Sequence, residues 1–277
     1  MRIQTDRQAS AGGGDIHVQS WLPATTPRGV VVLVHGLAEH CGRYAELVGR
    51  LHARGLAVYA LDHRGHGRSP GPRALIGRFD WLARDVATRV EAAHAAHPAV
   101  PLYLLGHSMG GAVALASVLA QPRHVAGLVL SAPAVGADPH VPALQVAVAR
   151  LLSRLAPTVG VLRLPAAAIS RDPAVVQAYE RDPLVHRGPI PARTAVELLD
   201  AMRGFAGSAG RLRVPTLVLH GTADRLVRIE HAQRVWRAFG TPDLTVHRYE
   251  GLYHEVFNEP ERARVYADLD AWLAARL

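Results

Sequence analysis

Short, continuous apolar runs recur along this chain, separated by stretches in which hydrophobic residues return every three or four positions. Gly29–Val34, Leu56–Leu61, Leu102–Leu105, Val125–Leu130 and Val214–Leu219 are dominated by apolar side chains, the pattern of strands buried on both faces of a parallel sheet. Ile16–Leu22 instead alternates apolar with polar, which predicts an edge strand with one solvated face, and residues 244–249, LTVHRY, alternate likewise. Helical spacing fills the gaps. Residues 43–53 place Tyr44, Leu47, Val48 and Leu51 on one face, and residues 79–97 turn Trp81, Leu82, Val86 and Val90 inward. An alanine-rich helix follows Gly111, and a C-terminal helix follows Asn258-Glu259-Pro260. Strand and helix in alternation imply an α/β fold built on a mostly parallel, doubly wound sheet, with its site at the C-terminal edges of the strands.

The rhythm stops between Val135 and Arg213, where proline-punctuated apolar helices appear and no convincing buried strand does. Three parts follow: core over 1–134, a helical cap or lid over 135–213, and core again over 214–277. The lid is rich in apolar positions, among them Val141, Leu144, Val148, Leu151, Leu152 and Leu155. They either pack on the main domain or form a surface that shapes an acyl pocket, for which Leu144 and Leu152 are the candidates. Arg150 and Arg154 interrupt the run, so it does not cross a membrane.

Chemistry concentrates at the strand ends. Leu102–Gly111 reads LYLLGHSMGG, a strand turning sharply into a helix with Ser108 at the apex. Gly106 and Gly110 lack Cβ atoms, so backbone segments can approach closely enough to hold Ser108 in a strained turn. Its hydroxyl is then exposed, with the N–H of Met109 beside it. His35-Gly36 ends an earlier strand, where a second oxyanion donor is expected from the N–H of Leu37. Asp224 follows the strand at 214–219, and His254 lies in a glycine-containing loop after 244–249, giving the order Ser, Asp, His. His254 is the candidate base and Asp224 the residue that orients it. His220 and His247 belong to strands or their ends, and Asp138 and Asp200 fall in the insertion, so they are weaker candidates. The loop Asp62–Pro70 suggests a metal or phosphate site, but a tight turn braced by Asp and Arg is the better reading. His107 reads as a packed neighbour of the nucleophile.

Composition changes the picture little. The net charge of +8 comes from arginine alone, scattered without a run, which argues against nucleic acid as a partner. Cys41 is the single cysteine, so neither an intrachain disulfide nor a cysteine metal cluster can form. With no apolar leader and no long apolar span, a soluble, cytoplasmic protein is expected, with peripheral membrane contact left open. No metal or organic cofactor is implied.

With these residues placed, the chain resembles the monoacylglycerol lipase and lysophospholipase branch of the α/β-hydrolases. The likeness runs through HGLAEHCGRY at 35–44, LDHRGHGRS at 61–69, GHSMGG at 106–111, SAP at 131–133, HGTADRL at 220–226 and YEGLYHEVFNE at 249–259. The resemblance implies an α/β-hydrolase fold, Ser108, Asp224 and His254 as a triad, and the amides of Leu37 and Met109 as the oxyanion hole. It also implies that Glu39 and Arg43 shape the alcohol side and that an amphipathic lid meets a membrane or lipid-droplet surface. The expected reaction is hydrolysis of a single-chain lipid ester, monoacylglycerol first, with lysophospholipid or short soluble ester as alternatives. A peptidase acting beside a free amine, an acyltransferase and a non-catalytic binding module on the same fold are the competing readings.

Overall fold

The computed structural model describes residues 1–277. Its elements run in the order β1 (Arg2–Ala9), β2 (Asp15–Leu22), β3 (Gly29–Val34), α1 (Ala45–Ala53), β4 (Leu56–Leu61) and α2 (Phe79–Ala96). Then come β5 (Leu102–His107), α3 (Met109–Ala120), β6 (Val125–Ser131), α4 (Ala143–Leu155), β7 (Gly160–Leu162) and α5 (Pro173–Arg181). The chain ends with β8 (Ile190–Pro191), α6 (Ala192–Ser208), β9 (Thr216–Gly221), α7 (Ile229–Trp236), β10 (Leu244–Tyr249) and α8 (Arg262–Ala274).

Eight strands form one sheet in the order β1-β2-β4-β3-β5-β6-β9-β10. From β4 to β10 every neighbour is parallel, while β2 runs antiparallel to both β1 and β4. This is the α/β-hydrolase fold. The continuous apolar strands are explained by burial on both faces. In β3, Val30, Val32 and Val34 pack into the layer formed with α2 and α3, while Val31 and Leu33 enter the opposite layer with α1 and α8.

Three expectations change. Ile16–Leu22 is not the edge, because β1 pairs with it along its full length and takes that place. β1 left no hydrophobic pattern, since RIQTDRQA is exposed almost throughout. On α2, Trp81 is only half-buried, whereas Asp85 is buried and accepts hydrogen bonds from Ser10 Oγ at 2.7 Å and Ala11 N at 2.6 Å. That carboxylate pins the β1–β2 turn to the helix. The strand expected from Val214 begins at Thr216, after Pro215, whose ring leaves no N–H for the ladder.

Between β6 and β9, the chain forms α4, α5 and α6 with a short antiparallel pair, β7 and β8. The pair is too short and too local to leave a strand pattern. α4 packs on α6, yet of its apolar residues only Val146 is well buried; Leu144, Leu151 and Leu155 are 76 %, 57 % and 76 % exposed. Those leucines do not pack on the main domain.

Candidate active site

Ser108 sits between β5 and α3 with φ 54° and ψ −119°, a backbone conformation that disfavours an L-residue. The turn is held by hydrogen bonds. Ser108 N donates to Ser131 O at 2.9 Å, and its carbonyl accepts from Gly111 N and Ala134 N, each at 3.0 Å. Space permits it only because of the glycines. A Cβ on Gly106 would lie 2.3 Å from Gly110 O, and one on Gly110 would lie 2.2 Å from Val34 O. Met109 opens α3, so its N–H belongs to the first-turn donors that have no acceptor within the helix.

Ser108, Met109, Leu37 and His254 all border one cavity of about 900 Å³. Most of its wall is apolar, and Leu144 and Leu152 of α4 belong to it. No hydrogen bond joins Ser108 Oγ to His254 in this conformation, so the candidate base borders the same cavity without being engaged. His254 Nδ1 lies 2.7 Å from Asp224 Oδ2, while Asp224 Oδ1 accepts from Leu226 N at 2.8 Å and Val227 N at 2.9 Å. The backbone thus fixes one carboxylate oxygen and aims the other at the imidazole. Burial disfavours charge on both groups, but each outweighs it for the other: the Asp224 carboxyl is held far below its usual range and the His254 imidazole is raised.

Other histidines separate by environment. His107 packs against His254 with ring centroids 4.7 Å apart and planes tilted by 54°, and places Nδ1 3.1 Å from Ser131 Oγ. Burial, aided by His254, pushes it down to about 4, so at pH 7 it is neutral and too weakly basic to compete with His254 for a proton. His220 places Nε2 2.9 Å from Val227 O and 3.3 Å from Asp224 Oδ2, behind the carboxylate. His247, on β10, faces Asp268 of α8.

Glu39 and Arg43 also border the cavity, as members of a buried ionic group. Glu39 Oε1 accepts from Gly36 N at 2.7 Å and Tyr44 Oη at 2.6 Å, and Arg43 bridges Glu39 to Glu255. Asn258 Nδ2 completes Glu255 at 2.7 Å, and the Arg43 guanidinium lies 4.7 Å from the Tyr179 ring centroid. Burial raises the Glu39 carboxyl, yet Arg43 and the neighbouring donors bring it down to about 2. Sequence reasoning missed Glu255 and Tyr179. Glu255 adjoins His254, which was its one available clue; nothing local marks Tyr179.

The Asp62–Pro70 loop is a brace. Asp62 accepts from Cys41 N at 2.9 Å and Arg68 N at 2.8 Å, and Ser69 Oγ donates to Asp62 O. His17, Cys41 and Asp62 have ligand-type atoms within 4.8 Å of one another, but both carboxylate oxygens are already engaged and burial pushes the Cys41 thiol well up. A neutral thiol there is a poor metal ligand and a poor nucleophile.

A family model described as "Serine aminopeptidase, S33" matches residues 25–261. A monoacylglycerol lipase of Mycolicibacterium smegmatis is 45% identical over 269 residues, covering 97% of this chain and 96% of that protein. The human monoglyceride lipase is 34% identical, covering 96% of this chain and 89% of its own length. Among solved structures, a Paleococcus ferrophilus monoacylglycerol lipase superposes with a TM-score of 0.85 at 32% identity, over 95% of this chain and 99% of that one.

Proposed function

This chain belongs to the serine aminopeptidase S33 family of α/β-hydrolases, and from that premise we propose that it hydrolyses monoacylglycerols to fatty acid and glycerol, with Ser108, His254 and Asp224 as its triad. One observation carries the reading. A strained serine opens into the same apolar cavity as a histidine whose far nitrogen is 2.7 Å from a buried carboxylate.

Ser108 Oγ attacks the ester carbonyl while His254 Nε2 takes its proton; Nδ1–H stays on Asp224, which stabilises the imidazolium. The carbonyl oxygen becomes an anion facing the N–H groups of Leu37 and Met109, each commonly worth roughly 3 kcal/mol to such a transition state. His254 returns the proton to the departing glycerol oxygen. Water then attacks the acyl-enzyme by the same route, and its proton passes through His254 to Ser108.

The apolar wall suits one acyl chain, with Leu144 and Leu152 along it, and the Glu39–Arg43–Glu255 group supplies polarity for the alcohol. An aminopeptidase would need an unpaired carboxylate to hold a substrate amine. Glu39 and Glu255 share Arg43, so neither carboxylate is without a partner even though the group keeps one net negative charge, which favours the ester. No helix is long and apolar enough to cross a membrane. The exposed leucines of α4, within a lid over 135–213, support peripheral contact with lipid surfaces.

The test is turnover by purified protein of monoacylglycerols of graded chain length, a lysophosphatidylcholine, a p-nitrophenyl ester and an aminoacyl anilide, each beside Ser108→Ala. Preference for monoacylglycerol, lost in the variant, is expected. Preference for lysophosphatidylcholine or the anilide would reassign the substrate, and turnover independent of Ser108 would overturn the site.

A further inference from the structure

His35 has no part in the chemistry above, yet it is fully buried and both of its ring nitrogens are engaged. Nε2 accepts from the backbone N–H of His63 at 2.9 Å. That nitrogen must therefore carry a lone pair, which places the ring proton on Nδ1. Nδ1 lies 2.7 Å from Gly36 O, so it donates there. The two bonds together specify one neutral tautomer.

The carbonyl it holds belongs to the Gly36–Leu37 peptide. Every peptide bond of the chain is trans, so the Leu37 N–H points opposite to Gly36 O. Drawing Gly36 O toward His35 turns the Leu37 N–H to the opposite edge of the peptide plane, and Leu37 itself borders the cavity beside Ser108 and Met109. The preceding peptide is held as well, because Gly36 N donates to Glu39 at 2.7 Å. Gly36 alone could rotate freely; its two flanking peptide planes are clamped from outside, one by Glu39 and one by His35. The next residue, Ala38, has φ 68°, so the loop needs such restraint to keep its shape.

We infer that His35 is a positioning residue for the reaction: its Nδ1–H sets the plane of the Gly36–Leu37 peptide and thereby aims the Leu37 N–H at the oxyanion. This rests on the reading of Leu37 as an oxyanion donor. A preformed donor contributes to the transition state without reorganising, whereas a peptide free to tip loses that contribution while substrate binding is little changed.

Two polar variants separate orientation from packing. In His35→Asn, the amide nitrogen takes the place of Nδ1 and can donate to Gly36 O; in His35→Gln, the amide reaches the place of Nε2 and can accept from His63 N–H but leaves Gly36 O unheld. Each is compared with wild type and Ser108→Ala, using a p-nitrophenyl butyrate assay and inhibition by a trifluoromethyl ketone, whose adduct carries an oxyanion. Thermal unfolding verifies that each variant is folded. The expected result is a kcat for His35→Asn within about 5-fold of wild type and a loss of roughly 10- to 100-fold for His35→Gln. KM should stay within about 3-fold, and affinity for the ketone should fall in step with kcat/KM. Equal activity of the two variants, a more active His35→Gln, or a loss confined to KM overturns the proposal while Ser108-dependent turnover leaves the catalytic reading standing. Undiminished turnover by Ser108→Ala would overturn both.

Discussion

Arg43 and Glu255, 212 residues apart in sequence, meet through paired hydrogen bonds of 2.7 and 2.9 Å. Since Arg43 also reaches Glu39 at 2.7 Å, one guanidinium ties the Gly36 loop to the loop bearing His254. All three side chains are at least nine-tenths buried. Arg43→Ala leaves two buried carboxylates unpaired, and a loss of roughly 3–5 kcal/mol is expected from denaturant unfolding. A loss below about 1 kcal/mol would show that the group relaxes to water.

With the proposed triad, the pH dependence of catalysis follows from His254. Only the neutral imidazole accepts the Ser108 proton, and although burial opposes its charge, Asp224 raises it above 6.5. The acid limb of kcat/KM should therefore have its midpoint above pH 6.5. The same shift contributes stability that is fully present below pH 6.5 and is lost as pH rises through the folded-state value. Asp224→Asn should move the limb down and cut kcat by roughly 10⁴. An unmoved limb would mean that another group titrates.

Glu39 carries the opposite sign. Its carboxyl, ordinarily near 4.5, is brought down to about 2, so its contribution is present above pH 4.5 and is lost as pH falls toward 2. Glu39→Gln should be less stable at pH 7 and show a shallower fall between those values in urea titrations. A curve parallel to wild type would remove Glu39 from the acid transition.

Besides the packing of Ile190 on Ala38, two hydrogen-bonding contacts tie the insertion to the loop after β3. His40 Nε2 lies 2.8 Å from Asp182 Oδ2, and His186 N donates to Ala38 O at 2.8 Å. Asp182→Ala removes this partly exposed contact together with the bond that Asp182 Oδ1 accepts from Leu184 N at 2.8 Å, each worth about 1 kcal/mol. Faster amide exchange over residues 165–190 and a several-fold lower kcat are expected. Exchange unchanged from wild type would show that the backbone bond suffices.

Leu151 and Leu155 are 57 % and 76 % exposed and, unlike Leu144, do not border the cavity. Replacing both with serine should weaken binding to phospholipid vesicles by about 100-fold or more, since burying each leucine contributes roughly 1.5–3 kcal/mol and about 1.4 kcal/mol is tenfold. Hydrolysis of a soluble ester should be unaffected. Equal loss on both substrates would make these leucines structural.

Much of this protein was legible as local pattern. The runs Gly29–Val34, Leu56–Leu61 and Leu102–Leu105 declared a sheet buried on both faces because covering helices leave no polar side to show. Ser108, Asp224 and His254 stood out because each follows a strand in a loop whose residue types suit one task. Tertiary structure decided what depends on partners distant in sequence. β1 is a strand only because β2 presents an open ladder to it; its own sequence is polar and exposed. Asp85 is buried because the β1–β2 turn brings donors to it. Whether the α4 leucines packed inward or faced outward was undetermined by periodicity, which gives the faces of a helix but not what lies against them. The Glu39–Arg43–Glu255 group, the His40–Asp182 contact and the bonds that fix His35 likewise exist only where the topology lays separate loops side by side.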